Sequence, residues 1–173
     1  MSNLKVFTEQ ELMDLDMGTV KGKVRRTLEA GTYLFRHDVA GIVHTENRET
    51  GAPRMDVGFR SVAVAAVSLD DPTKNPEDYV GQNVFEKFYG PTPEDVGYCK
   101  TYFDNVLGAE CKQKFSAMME LLNTPGNVYF KARVTNTEYN GRKQANLSRD
   151  PLHFVGLERL TEEEMAICTA YEG

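Results

Sequence analysis

The chain has no tryptophan, and only three of its 173 residues are cysteine. Cys99, Cys111 and Cys168 are odd in number and contain no CxxC pair. That fits a reducing, cytoplasmic setting better than a disulfide framework. No apolar run approaches the ~18 residues of a membrane span. The N-terminal stretch MSNLKVFTEQELMDLD is acidic and lacks an apolar signal core. Histidine is scarce too. His37, His44 and His153 stand apart from any Cys or carboxylate at metal-ligand spacing, which argues against a zinc site. His37, among apolar neighbours, is expected as a hydrogen-bonded core residue. There is no Walker loop, GxSxG elbow or HExxH helix. Asp70-Asp71 and Glu77-Asp78 fall in a Pro-containing loop, where paired acids serve solvation more often than two-metal chemistry. These absences point to a protein without catalytic residues, cofactor, metal or membrane partner.

What is present is ordinary in amount and uneven in distribution. Apolar residues make up 40% and charged residues 27%, as in a globular domain. The length suits one domain with appendages and a real core. The net charge of -6 argues at first against a nucleic-acid partner. Yet residues 20–60 carry eight Lys/Arg against five Asp/Glu, and residues 127–149 carry five against one. The acids gather in 1–19, in 70–110 and after 150. A local patch decides binding, whereas net charge speaks to solubility.

The pattern along the chain is mostly that of strands. Thr8 with Glu11 has capping-box spacing for a short acidic helix over 8–17. Residues 32–45 and 55–69 predict two long strands around the charged loop 46–54, with Gly41 and Gly58 as bends or bulges. Residues 80–90, ending in Phe88-Tyr89, predict a third strand. Pro93-Glu94-Asp95 opens a helical stretch, and 110–122 continues it up to the stop at Asn123-Thr124-Pro125-Gly126. Residues 127–139 and 142–155 predict two strands around Asn140-Gly141, a hairpin turn pair. The end, LTEEEMAICTAYEG, predicts a short helix or acidic tail. The expected domains are an N-terminal extension (1–30), a β domain (31–156) and a short acidic C-terminal tail (157–173). Three strands, a helical insert and two more strands are the order of the OB-fold. The expected class is therefore mainly β, a five-stranded OB-fold Greek-key barrel with a helical insert between strands three and four.

The chemistry concentrates in Asn127–Arg149. Tyr129, Lys131, Arg133 and Tyr139 fall on one side of a strand and Val128, Phe130, Ala132 and Val134 on the other. Cations beside exposed rings suit a single-stranded nucleic acid, whose phosphates attract charge and whose unstacked bases need flat surfaces. Lys131, Arg133, Arg142, Lys143 and Arg149 are the candidate phosphate contacts. Tyr129 and Tyr139 are the candidate stacking residues. Arg36, Arg54 and Arg60 from the first two strands, and Lys87 and Tyr89 from the third, extend the same surface. Lys21, Lys23, Arg25 and Arg26 form a basic run that serves as an arm or as a solvated linker.

GTYLF, the turn NRETGAPRMDV, the helical insert and GNVYFKARVTNTEYNGRKQANL together resemble phage-encoded single-stranded-DNA-binding proteins of the OB type, over about residues 30–155. The resemblance implies that the sheet face and the loops joining strands one to two and four to five clasp single-stranded DNA. It implies a coating role in phage replication or recombination, partners among replication or recombination proteins, and the host cytoplasm as location. The ending Tyr171-Glu172-Gly173 departs from the acidic-apolar tip of such proteins, and the missing Trp leaves Tyr and Phe as platforms. The alternative class is a non-enzymatic interaction or structural β-barrel module, a phage accessory or virion protein, contacting partners through the acidic 70–110 region.

Overall fold

Two long antiparallel strands carry the molecule. In the computed structural model, whose described residues are 6–20, 22, 24–89 and 92–173 without the Tyr89 side chain, a short helix α1 (Glu9–Met13) comes first. Its Thr8–Glu11 capping box forms as the spacing predicts. Then β1 (Gly31–Glu46) pairs along its length with β2 (Pro53–Leu69). β3 (Asn83–Tyr89) pairs with β2, and β4 (Tyr129–Tyr139) pairs with the first part of β1, from Gly31 to Arg36. β5 (Arg142–Leu147) returns along β4 through Asn140 and Gly141, whose φ values of 51° and 74° are the left-handed pair that a two-residue hairpin turn requires. The expected last strand, 142–155, is broken. After Leu147 the chain turns, and β6 (Phe154–Val155) pairs with Lys131 and Ala132 of β4.

The result is a mainly β protein built on an antiparallel six-stranded sheet, ordered β3-β2-β1-β4-β5 with β6 attached to β4. The sheet is open. β3 and β5 approach within 8 Å, Cα to Cα, but share no ladder, so hydrogen bonding does not close a barrel.

Register explains which side chains face inward. Ser61 pairs with His37 and Arg60 with Val39, so Asp38 is an extra residue in β1. Val64 and Val67 are the extra residues in β2. A bulge of this kind breaks the strict alternation of faces. Tyr33, Phe35 and His37 line the core before Asp38, and Ala40 does so after it. Val39 is therefore not on the inward row with His37, as simple alternation predicts. Gly41 and Gly58 are not bulges; they pair with each other in regular register.

The helical insert covers one end of the sheet. α2 (Pro93–Leu107) starts at the predicted Pro93, with Thr92 as N-cap. Its buried residues, Cys99, Tyr102, Phe103, Val106 and Leu107, follow one helical stripe. Phe59, Phe88, Tyr102 and Phe103 pack ring against ring beneath it. Each such side chain contributes ~1.5–3 kcal/mol on burial. α3 (Phe115–Leu122) is shorter than the predicted 110–122 and buries Met118 and Leu122. Gly156, after β6, lies so close to the end of α2 that a Cβ there would sit 2.0 Å from the Gly108 nitrogen.

The C-terminal residues are not a loose tail. α4 (Glu162–Ala170) begins with a Thr161–Glu164 capping box and packs Cys168 against Leu34, Val64 and Tyr129. This second, smaller core lies on the side of the sheet opposite the aromatic one.

Candidate nucleic-acid interface

The row that looks most like a binding face in the sequence is mostly covered. Tyr129 is 7% exposed, held in the core under α4, and burial raises its hydroxyl pKa. Lys131 Nζ lies 2.6 Å from a Glu164 carboxylate oxygen, and that pairing holds Glu164 below its ordinary pKa. Arg133 forms a bidentate pair with Asp70, which lowers the Asp70 pKa. Arg36 is buried, with Nε 2.6 Å from Asp38 Oδ1 and the Tyr171 ring 5.2 Å away. Tyr129, Lys131, Arg133 and Arg36 therefore do not open onto one ligand face. The physical reason is tertiary: α4 and the loop after β2 bring acids and apolar cover onto this part of the sheet.

The open surface is the outer side of β1, β2 and β3 beyond the Asp38 bulge. Arg54, Asp56, Gly58 and Arg60 alternate along β2, with Phe85 opposite Arg60 and Lys87 opposite Gly58 on β3. Gly41 and Gly58 stand side by side, and a Cβ on either would meet nothing within 4 Å. They form the bare floor of a depression of about 320 Å³, rimmed by Val39, Val43, Arg60, Phe85 and Lys87. Phe85 is 65% exposed, unusual for a phenylalanine on a strand. Arg60 has no ion pair among the described residues, and its buried Nε has no hydrogen-bond partner there. Leaving such a donor unpaired costs ~1–3 kcal/mol. Arg54 and Lys87 both approach the fully buried Asp56, at 3.0 and 3.2 Å, so two cations share one carboxylate.

Two further hollows continue this surface toward the β4–β5 hairpin. One, of about 520 Å³, lies between β3 and β5, where Arg25, Arg26, Arg60, Phe85, Lys143 and Asn146 meet. The other lies between the β1–β2 and β4–β5 hairpins and is lined by Arg48, Glu49, Arg54, Lys87, Tyr139 and Gln144. Tyr139 is 65% exposed and pairs across the turn with the exposed Arg142. Lys143 is tied to Glu29 at 2.5 Å.

Arg149 stands apart from this groove. Its Nη2 lies 2.8 Å from Glu86 Oε1, and its guanidinium sits over Phe88. Burial raises the Glu86 pKa, with Arg149 opposing that shift. Of the twelve residues expected to bind, Arg54, Arg60, Lys87, Tyr139 and Lys143 line the connected groove, and Arg142 stands at its end. The Tyr89 side chain, with Lys21 and Lys23 of the basic run, lies outside the described residues.

Sequence reasoning missed Phe85, the Gly41–Gly58 floor and Arg48. Phe85 had a legible signal: its alternation with Val84 and Glu86 puts it on the same side of β3 as Lys87. His37 behaves as expected. It is fully buried, with Nδ1 2.9 Å from the Leu122 carbonyl and Nε2 3.0 Å from the Tyr102 hydroxyl, and burial pushes its pKa down to about 4. The neutral ring thus donates to Leu122 and accepts from Tyr102. Burial pushes the Cys99 thiol up to about 12 and Cys168 up to about 11, which keeps both unreactive. Among the described residues no three His, Cys, Asp or Glu side chains form a metal-binding group, and no helix is long and apolar enough to cross a membrane.

No protein-family model and no curated protein matches the chain.

Proposed function

We propose that this protein binds single-stranded DNA with little sequence preference, in the groove from the Gly41–Gly58 floor to the β4–β5 hairpin. The observation that carries the reading is Arg60 beside Phe85: a cation without a carboxylate partner among the described residues, next to an exposed ring and over a floor without side chains. Phosphates follow Arg25, Arg26, Arg48 and Arg60, while bases stack on Phe85 and Tyr139. The strand order and the helical insert between β3 and β4 support an OB-type barrel left open between β3 and β5. On that reading the two hairpins flank the bound strand, and the role is coating and protection of DNA in phage replication or recombination. Cations already matched to an acid, such as Lys131, contribute less, because a phosphate must displace the carboxylate first.

The test is fluorescence anisotropy with labelled oligo-dT at two salt concentrations. Binding that weakens steeply with salt is expected, with log-log slope about -0.7 per phosphate neutralised. No binding at low salt, or binding indifferent to salt, sinks the proposal. One observation favours the alternative of a protein-interaction module. Ile42, Met55, Val57, Phe88, Val96 and Phe115 line an apolar hollow between the β1–β2 arm and the helical insert.

A further inference from the structure

Residues 24–30 lie beside the opening between β3 and β5, and two side-chain amides fix their backbone. Gln82, just before β3, accepts from the Arg26 N–H at 2.8 Å and donates to the Val24 carbonyl at 3.0 Å. Asn136, on β4, accepts from the Ala30 N–H at 2.8 Å and donates to the Leu28 carbonyl at 2.9 Å. Each amide thus imitates the paired hydrogen bonds of a neighbouring strand. Leu28 is fully buried in the aromatic core, and Glu29 pairs with Lys143 of β5. The segment is therefore anchored at both ends and in the middle. Arg25 and Arg26 lie on the anchored stretch, remain exposed, and line the same hollow as Arg60 and Phe85.

We propose that residues 24–30 are a strap that completes the groove wall, and that Gln82 is a positioning residue whose clamp holds Arg25 and Arg26 over a bound single strand. The inference rests on the groove reading above and adds how the site is assembled and controlled. Two flexible arginines on a free arm would lose conformational freedom on meeting phosphate; clamped ones have lost much of it already. The clamp depends on an amide with both donor and acceptor, so alanine removes both bonds at once. Gln82 itself need not touch the ligand. Release of the Gln82 clamp frees Arg25 and Arg26 from the groove wall, while Leu28 in the core and the Asn136 bonds hold the rest of the segment.

The experiment compares the full-length parent, Gln82→Ala and Phe85→Ala by trypsin cleavage after Arg26 and by oligo-dT titration at several salt concentrations. A held strap resists cleavage between Arg26 and Thr27, since proteolysis needs local opening. Gln82→Ala is expected to be cut there roughly tenfold faster, as local opening becomes easier. It is also expected to bind oligo-dT with a log-log salt slope flatter by about 1.4, the share of two phosphate contacts. Oligo-dT should slow the cut in the parent. A Gln82→Ala variant that is cut and binds like the parent, while Phe85→Ala binds worse, overturns the strap and leaves the groove standing. A parent that does not bind oligo-dT at low salt overturns both.

Discussion

On the outer side of β4, Lys131 and Arg133 meet Glu164 and Asp70, and Tyr129 lies under α4. On the outer side of β2 and β3, Arg60 meets no carboxylate among the described residues and Phe85 stands out into solvent. Both regions are basic and aromatic, and both alternate on strands of one sheet. They differ in what the rest of the chain does to them. The first is completed from within, by an acid from α4 and another from the loop after β2. In the second, Asp56 is shared by Arg54 and Lys87, and Arg60 has no ion pair among the described residues. A basic row on a strand thus identifies a binding face only when its charges remain unmatched in the folded chain.

The largest effects should separate the two faces by stability against affinity. Leu34→Ala, beneath α4, is expected to lower unfolding free energy by ~2–5 kcal/mol, as buried large-to-small changes do, while the folded fraction binds oligo-dT like the parent. Phe85→Ala should behave oppositely, with stability changed by no more than ~0.5 kcal/mol and binding weakened by ~1–3 kcal/mol. Urea unfolding and anisotropy titration on both variants check this. Similar profiles for the two would erase the distinction between the faces.

A second test uses pH on the core between them. His37 binds its proton less readily folded, near 4, than unfolded, near 6.5. The unfolded chain therefore binds more protons in that window, so stability is full above pH 6.5 and is lost as pH falls toward 4. At 1.36 kcal/mol per pH unit the loss reaches ~3 kcal/mol. The lowered pKa values of Asp70 and Glu164 act in the same direction at lower pH, loosening the covered face last. Urea midpoints from pH 7.5 to 4.5 should fall in the parent, and much less in His37→Gln. An equal fall in both would remove His37 from the account.

The smallest effect is assigned to the residues that seemed most promising in the sequence. Lys131→Ala with Arg133→Ala should lower stability by ~1–2 kcal/mol, since both ion pairs are only half-exposed, and leave oligo-dT affinity within about twofold of the parent. A marked loss of affinity with a flatter salt slope would restore the covered row as a binding face.

The sequence made the elements legible because their signals are local. Alternating apolar residues mark β1, β2 and β4, Asn140-Gly141 marks the turn, and Pro93 with its acids marks the start of α2. Faces were less legible, since the extra residues at Asp38, Val64 and Val67 shift the alternation and no local pattern announces them. The matched charges were less legible still. Arg133 finds its acid 63 residues away, and Lys143 finds its own 114 away. The 157–173 segment is acidic enough to resemble a tail, but Cys168 and its neighbours pin it to the sheet. Tyr139, Lys143 and Arg60 could be picked from the sequence as candidates; their meeting around Phe85 depended on packing.

The extra residue at Asp38 also governs how β1 tolerates changes of length. Loss of one residue between Val39 and Glu46 would invert the remainder of the strand, turning Ala40's side of the ladder toward water. Loss of Asp38 itself would leave every later side chain on its present side, because Asp38 is the residue that the β2 ladder skips. It is thus the silent position for register and an expensive one for charge, since its removal strands the buried Arg36 guanidinium. Deletion scanning along β1 would record Asp38 as a lesion in stability with the groove still correctly assembled.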